Sequence, residues 1–244
     1  NAGRTPVVLP ALELSVWMFL GFAFQSVGLA STSASHSAFL LYLNVKLVPI
    51  LSGLVYRRAV PLETYLSALA ALTGTLLLTF ENGAASLNVG DLWSLAAAAA
   101  SAMFILRLET VVSPPDVDPA AVNAISLYGV ATLSLLWLLA TSHPTSPQSL
   151  ISTLGFSPAT LAQLAYLGLV ATAACGFLQA VGQRYVAAER AAVIYAMDPV
   201  YAAGFAWLLL GEGLGPQGLL GAGVVTGAAV FSQRAALKAR RGRV

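Results

Sequence analysis

Eight long apolar runs constrain the fold of this chain more than any other feature. They cover approximately residues 11–30, 36–56, 62–80, 91–109, 120–141, 159–183, 189–210 and 216–233. A helix needs roughly 20 mostly apolar residues to cross a bilayer. Only 9% of the 244 residues are charged, whereas about 25% is usual in a soluble domain. The runs therefore predict an all-α integral membrane protein with eight spans. A soluble bundle is disfavoured because runs such as 92–106 have no polar face that could meet water.

The residues between the runs are typical of helix ends. Four prolines stand in predicted first turns, where the missing N–H has no helical partner to lose; these are Pro61, Pro119, Pro158 and Pro216. Asp118 and Ser157 directly precede two of these prolines, and Asp91 begins the fourth run. Side-chain oxygens at such positions accept hydrogen bonds from the free N–H groups of a first turn. We therefore expect these three residues to cap their helices.

The basic residues predict the orientation of the spans. When the loops are assigned alternately to two sides, eleven of the twelve basic residues fall on one side, namely Arg4, Arg57, Arg58, Arg107, Arg184, Arg190, Arg234, Lys238, Arg240, Arg241 and Arg243. Lysine and arginine are concentrated on the cytoplasmic side of membrane proteins. The basic tail 234–244 is therefore expected on the cytoplasmic or stromal side. It is expected to attract anionic lipid headgroups, and no nucleic-acid partner is expected.

The chain contains a weak internal repeat. At an offset of 153 residues, Ala34, Ala38, Tyr42, Thr73 and Gly74 align with Ala187, Ala191, Tyr195, Thr226 and Gly227. At an offset of 154, Phe24–Gly28 aligns with Leu178–Gly182. Matching elements are five spans apart, and an odd number inverts the second copy in the membrane. Many transporters are built from such inverted repeats. The pattern predicts two five-helix repeats, with the first two helices missing from ahead of residue 11.

Several strings resemble EamA-type carriers of the drug/metabolite transporter superfamily. The second half carries "AVIYAMDPVY" over 192–201, a Leu-Gly-Glu end at 210–212 and glycines at 221 and 227. The first half has a weaker copy, with Val48-Pro49 and Gly74 but without the Leu-Gly-Glu end. The strings "NVGDLW" from Asn88 and "LRLE" from Leu106 are similar to plastid-type plant and algal members. The resemblance covers about residues 11–233.

The resemblance implies an organisation and an activity. Residues 1–80 would be the remainder of the first EamA-type repeat, 91–233 the second repeat, and 234–244 a basic tail. The family's function implies a multi-pass carrier that moves a small metabolite by alternating access, and the plastid-like strings imply a plastid membrane. The departures are the absent first spans, the missing Leu-Gly-Glu end in the first half, and Lys46 at the position that matches Pro199.

Lys46 is the one basic residue outside the grouped set, and it lies in the middle of the second run. Each end of the run is roughly ten residues away, which is ~15 Å along a helix and more than a lysine stem can span. A lysine facing lipid at this depth would cost about 2.5–3.5 kcal/mol or more. We therefore expect Lys46 to line a water-filled substrate cavity or to form a purely structural pair with Asp198, which lies beside the matching position in the seventh run.

Other polar residues within the runs are candidates to line the same cavity. Tyr42 and Tyr195 precede Lys46 and Pro199 by one helical turn and lie on the same faces. The substrate-binding candidates are Lys46, Tyr42, Asn44, Asp198, Tyr195, Gln25 and Gln179, of which the two glutamines match across the repeat. Pro49 and Pro199 remove backbone donors within spans, so they are hinge candidates or simple kinks.

The sequence contains no pattern for catalysis, metal binding or a cofactor. The two histidines, His36 and His143, stand near run ends without the further ligands that a metal needs. We expect a non-enzyme whose partners are a small-molecule solute and membrane lipid; the sequence leaves its oligomeric state open. Two alternatives stay open. An anion translocator like the sugar-phosphate or nucleotide-sugar carriers is motivated by Lys46, and a non-transporting membrane scaffold is motivated by the missing helices.

Overall fold

The computed structural model describes residues 7–32, 37, 40–57, 62–79, 88–142, 157–195, 197–198, 200–201, 204–205, 208 and 215–241. These residues form eight helices and no strand, as expected for an all-α protein. The helices are α1 (Val8–Leu29), α2 (Asn44–Tyr56), α3 (Leu62–Thr79), α4 (Val89–Val112), α5 (Pro119–Ser142), α6 (Pro158–Gln183), α7 (Ala188–Tyr195) and α8 (Pro216–Arg241). Further helical residues follow α7 at 198, 200–201, 204–205 and 208.

Four helices in the described part of the chain are long and apolar enough to cross a membrane: Val8–Leu29, Val89–Val112, Pro119–Thr141 and Pro158–Gln183. The count of eight membrane spans therefore stays a prediction for the other four runs. Helix α6 contains a π-helical segment, Tyr166–Ala174, between two α-helical segments. The hydroxyl of Thr172 donates to the carbonyl of Leu167, five residues back, at 2.8 Å, in keeping with the wider π turn.

Most of the predicted helix ends are confirmed. Helices α5, α6 and α8 begin at their prolines. Asp118 accepts a hydrogen bond from the N–H of Ala120 at 2.9 Å, and Ser157 accepts one from the N–H of Thr160 at 3.1 Å. Pro61 lies outside the described residues.

The prediction that Asp91 caps the fourth helix is wrong. Helix α4 begins at Val89, two residues earlier than the apolar run suggests, and Asn88 is the cap. The side chain of Asn88 accepts from the N–H of Asp91 at 3.1 Å, and the Asp91 carboxylate accepts from the N–H of Asn88 at 2.7 Å. The two residues satisfy each other as a capping box does.

The chain divides into two compact units, which are described separately. Unit 1 comprises residues 1–19 and 107–185, and unit 2 comprises 20–106 and 186–244. In unit 1, the first half of α1 packs on α5, where the hydroxyl of Ser126 donates to the carbonyl of Ala11 at 3.1 Å. Helix α5 also contacts α6, because the Asn123 amide donates to the carbonyl of Ala173 at 3.0 Å. Arg184 donates to the carbonyl of Val112 at 3.0 Å and also to that of Val117, so it holds the end of α4.

In unit 2, two pairs of helices pack antiparallel. Helix α3 approaches α8 closely at Gly74, where an added Cβ would lie 2.7 Å from the carbonyl oxygen of Gly221. Further along, the Gln217 amide donates to the carbonyl of Leu77 at 3.3 Å. The core beside this crossing consists of Ala68, Ala71, Val193, Val225 and Ala228. Helix α2 packs on α7 in the same antiparallel sense and contributes Val48 to a second core with Ala188 and Ala192.

Candidate functional site

Helices α2 and α7 lie in the repeat-matched runs 36–56 and 189–210, and each is bounded by a tight turn within its run. Before α2, residues 40–41 are helical and residues 42–43 form a turn, in which the N–H of Leu43 donates to the carbonyl of Leu40 at 3.1 Å. After α7, the N–H of Met197 donates to the carbonyl of Ile194 at 3.0 Å, and helical residues resume at Asp198. Both bonds span three residues instead of four. The described residues of the runs 36–56 and 189–210 therefore do not form single regular helices.

The two turns lie within one residue of matching positions in the repeat. Leu43 and Met197 are 154 residues apart, one more than the offset of 153 that aligns Tyr42 with Tyr195 and Lys46 with Pro199. The sequence offers a local cause for the turn after α7, because a proline at position 199 has no N–H with which to continue a regular helix. Pro199 itself lies outside the described residues. The turn before α2 has no such proline, and its cause is not local.

Four predicted site residues flank these turns, and we call them the paired-turn site: Tyr42, Asn44, Tyr195 and Asp198. Tyr42 lies within the first turn and is half-buried, and Asn44 is the first residue of α2. Asp198 is exposed and lies near enough to Tyr42 for its charge to act on the tyrosine hydroxyl. Tyr195 ends α7 and packs against the core that contains Val48 and Ala192.

The hinge candidate Pro49 is buried inside α2, one turn and a half after the first turn. Its carbonyl accepts a hydrogen bond from the Tyr65 hydroxyl of α3 at 3.2 Å. Lys46 belongs to α2 and lies between the turn at residues 42–43 and Pro49. Its side chain is outside the described part of the structure. The expected position of the Lys46 ammonium therefore stays a prediction, as does a hinge at Pro49.

The two glutamines lie in different units of the structure. Gln25 is in the part of α1 that belongs to unit 2, and the paired-turn site belongs to unit 2 as well. Gln179 is in α6 of unit 1. Both side chains are half-buried. Their role as cavity residues stays a prediction. His36 and His143 lie outside the described residues.

The sequence did not predict the buried polar contact between α2 and α7. The Ser52 hydroxyl donates to the Glu189 carboxylate across the two helices, and both side chains are buried. Glu189 lies in the first turn of α7, where the helix dipole favours a negative charge. One signal could have located this contact. Once Tyr42 is paired with Asp198 in an antiparallel sense, a count of ten residues outward along each helix brings Ser52 opposite Ala188, next to Glu189.

Unit 1 contains an ion pair that the sequence also did not predict. The Arg107 guanidinium donates to both carboxylate oxygens of Glu13, at 2.7 and 2.5 Å, and the Trp17 indole donates to the same carboxylate at 3.4 Å. Arg107 was grouped with the loop residues, but it lies inside α4 and is half-buried. The bidentate geometry is typical of a strong arginine–carboxylate contact.

Three comparisons relate the chain to known proteins. The model of the EamA-like transporter family matches residues 88–233. An uncharacterized transporter of Archaeoglobus fulgidus is 28% identical over 213 residues, which are 86% of this chain and 64% of the relative. The chain thus spans a little under two thirds of that relative's length. A solved structure, described only as a crystal structure of a protein, superposes with a TM-score of 0.72 at 15% identity, and the match covers 95% of this chain and 90% of the other. That likeness shows the fold alone.

Proposed function

We propose that this chain, which belongs to the EamA-like transporter family, is part of a membrane transporter that moves a small metabolite by alternating access. The solute would bind at the paired-turn site. We also propose that the protein is not an enzyme. The family is one of transporters, and the sequence offers no candidate catalytic residues.

The observation that carries this proposal is the pair of matched turns. An interrupted helix leaves backbone N–H and C=O groups without their helical partners. Within a membrane such groups persist only where they are buried in protein or line a water-filled cavity. Discontinuous helices at the interface of two repeats form the substrate and ion sites of many carriers. The turns at Leu43 and Met197 are interruptions of this kind within two predicted spans, and they support the proposal.

The antiparallel packing of matched helices supports the inverted-repeat part of the proposal. A two-fold axis in the membrane plane exchanges matched helices, so those nearest the axis must run in opposite directions. The matched runs that contain α2 and α7 do so, with Ser52 on Glu189 at one end and the Asp198 charge within range of the Tyr42 hydroxyl at the other. Helices α3 and α8 do so at Gly74. We propose that residues 1–80 and 91–233 are the two repeats and that two further helices precede α1 in the complete protein.

The position of Lys46 favours an anionic solute. It lies one helical turn after the first turn of the paired-turn site. A charged lysine in a cavity would attract phosphate or carboxylate groups, as expected for a carrier of phosphorylated metabolites. The plastid-like strings support a plastid membrane, and the grouped basic residues support a cytoplasmic or stromal tail.

Uptake into proteoliposomes tests the proposed function. The natural full-length protein is reconstituted and offered a radiolabelled sugar phosphate and, separately, the neutral sugar. We expect uptake of the phosphate above that of protein-free liposomes, and a fall of more than tenfold in Lys46→Met. Lys238→Met is the matched control, because Lys238 is the only other lysine of the chain and lies in the basic tail, away from the paired-turn site in the sequence. Absence of uptake for every solute in a broad panel would favour the membrane scaffold instead.

A further inference from the structure

Helix α2 is joined to α3 by a hydrogen bond that meets α2 at its proline. The Tyr65 hydroxyl of α3 donates to the carbonyl of Pro49 at 3.2 Å. Pro49 is fully buried and Tyr65 is half-buried. The bond connects the helix that contains Lys46 to the helix that packs closely on α8 at Gly74. Tyr65 can therefore influence the paired-turn site without being part of it.

Pro49 makes α2 depend on support from outside the helix. Because proline has no N–H, the carbonyl at position 45 receives no helical hydrogen bond from it, and the proline ring crowds that carbonyl. The weak point lies only five residues after Asn44, where α2 begins. The hydrogen bonds within α2 therefore fix the direction of its first turn less firmly than in a regular helix. The bond from Tyr65 supplies a fixed point on α3.

The phenol of Tyr65 fits a gap that α2 leaves at Gly53. A Cβ added at Gly53 would lie 3.5 Å from the Tyr65 hydroxyl oxygen, so a larger side chain would compete with the phenol for the same space. Gly53 follows Pro49 by four residues and lies on the same face of α2. At its other end, Tyr65 precedes Ala68 by three residues, and Ala68 is buried in the core beside the α3–α8 crossing. The tyrosine thus extends from a packed core to the proline of α2.

The second repeat has no counterpart of Tyr65 at the matching position. At the offset of 153 residues, Tyr65 matches Gly218 in the first turn of α8. A glycine has no side chain that could donate to a neighbouring helix. The contact is therefore particular to α2, which is also the helix that carries Lys46.

We propose that Tyr65 is a positioning residue for solute binding: by holding the carbonyl of Pro49, it fixes the first turns of α2 and with them Asn44 and Lys46. The inference rests on the function proposed above, which supplies the solute and its site. Lys46 precedes Pro49 by three residues, less than one helical turn, so a change of direction at Pro49 moves Lys46 directly. Loss of the Tyr65 hydroxyl should therefore weaken solute binding more than it slows translocation.

Tyr65→Phe in the natural full-length protein tests this proposal, since it removes one oxygen atom and keeps the ring. We expect the KM for uptake of the radiolabelled sugar phosphate to rise about three- to tenfold, as one lost hydrogen bond would cause, with kcat changed by less than about twofold. Tyr128→Phe is the matched control, because Tyr128 of α5 is 80% exposed. At low solute concentration, uptake by Lys46→Met should fall no further when Tyr65→Phe is added, because both act through one contact.

A second readout needs no solute. In a Cys175→Ser background, Asn44→Cys should react with a maleimide in permeabilised membranes about threefold faster beside Tyr65→Phe than beside Tyr128→Phe, because the start of α2 is less restrained. An equal or slower reaction would overturn the proposal, as would an unchanged KM or a loss that adds to that of Lys46→Met. Faster labelling in a protein that takes up no solute would support the hold of Tyr65 on α2 and count against the proposed transport instead.

Discussion

Two pairs of matched helices within unit 2 differ in how they meet. Helices α3 and α8 meet through Gly74 and Gly221 and a core of small apolar side chains. Helices α2 and α7 are bounded by tight turns and carry charged and hydroxyl groups across their contact, as Ser52 and Glu189 do. Both pairs come from repeat-matched runs, but α3 and α8 meet through close backbone packing whereas α2 and α7 meet through polar groups.

The difference has a physical basis. Small residues let two backbones approach, and dense packing then resists displacement. A turn in a membrane helix instead leaves polar backbone groups that need water, protein or solute. We therefore interpret α3–α8 as the framework and α2–α7 as the moving and binding part.

The largest stability effect is expected at the framework. Gly74→Leu should destabilise the protein by about 3 kcal/mol or prevent folding, because the neighbouring Gly221 carbonyl is backbone and cannot move aside as a side chain can. Thermal unfolding in detergent measures the change, with Gly223→Leu as the control at an open glycine. Equal Tm values for the two variants would show that the close approach at Gly74 is not needed.

An intermediate effect is expected at the polar contact of α2 with α7. Ser52→Ala should cost about 1–2 kcal/mol, because it removes a hydrogen bond to a buried carboxylate. Ser26→Ala is the control, since the Ser26 hydroxyl is exposed and bonds only within its own helix, to the carbonyl of Phe22 at 2.8 Å. A Tm for Ser52→Ala as high as that of the control would show that the Ser52–Glu189 hydrogen bond does not stabilise this interface.

The smallest stability effect is expected at the charged residues of the binding part. If Lys46 lines a water-filled cavity, Lys46→Met and Asp198→Asn should each change stability by less than about 1 kcal/mol. A purely structural pair would behave differently. Each single variant would then cost about 3–5 kcal/mol, and the double variant would recover most of that loss. Thermal unfolding of the three variants beside the unchanged protein separates the two roles.

The features that the sequence predicted correctly have local causes. Pro158 can begin a helix and Ser157 can cap it, because the capping hydroxyl reaches an N–H only three residues away. The apolar runs also predict helices from local information, because the hydrophobicity of consecutive residues is enough to indicate a membrane helix.

The features that sequence reasoning missed depend on residues distant in the chain. The turn at Leu43 contains no glycine or proline to indicate it, whereas the turn at Met197 is followed by Pro199. The π-helical segment of α6 has its Ala173 carbonyl bonded by Asn123 of α5, a contact across 50 positions. Glu189 lies at a predicted span boundary, and only the packing of α2 on α7 shows that it is buried with Ser52.

The central claim, that solute is exchanged between the two sides at the paired-turn site, is tested most directly by thiol labelling of Asn44→Cys. The substitution is made in a Cys175→Ser background and is labelled in sealed vesicles of both orientations with a membrane-impermeant maleimide. Two markers define the sides: Ala239→Cys in the basic tail and Ser142→Cys at the end of α5 should each react from one side, and from opposite sides. We predict that Asn44→Cys reacts from both sides and that transported solute slows both reactions. Labelling from one side only, or from neither, would contradict alternating access at this site.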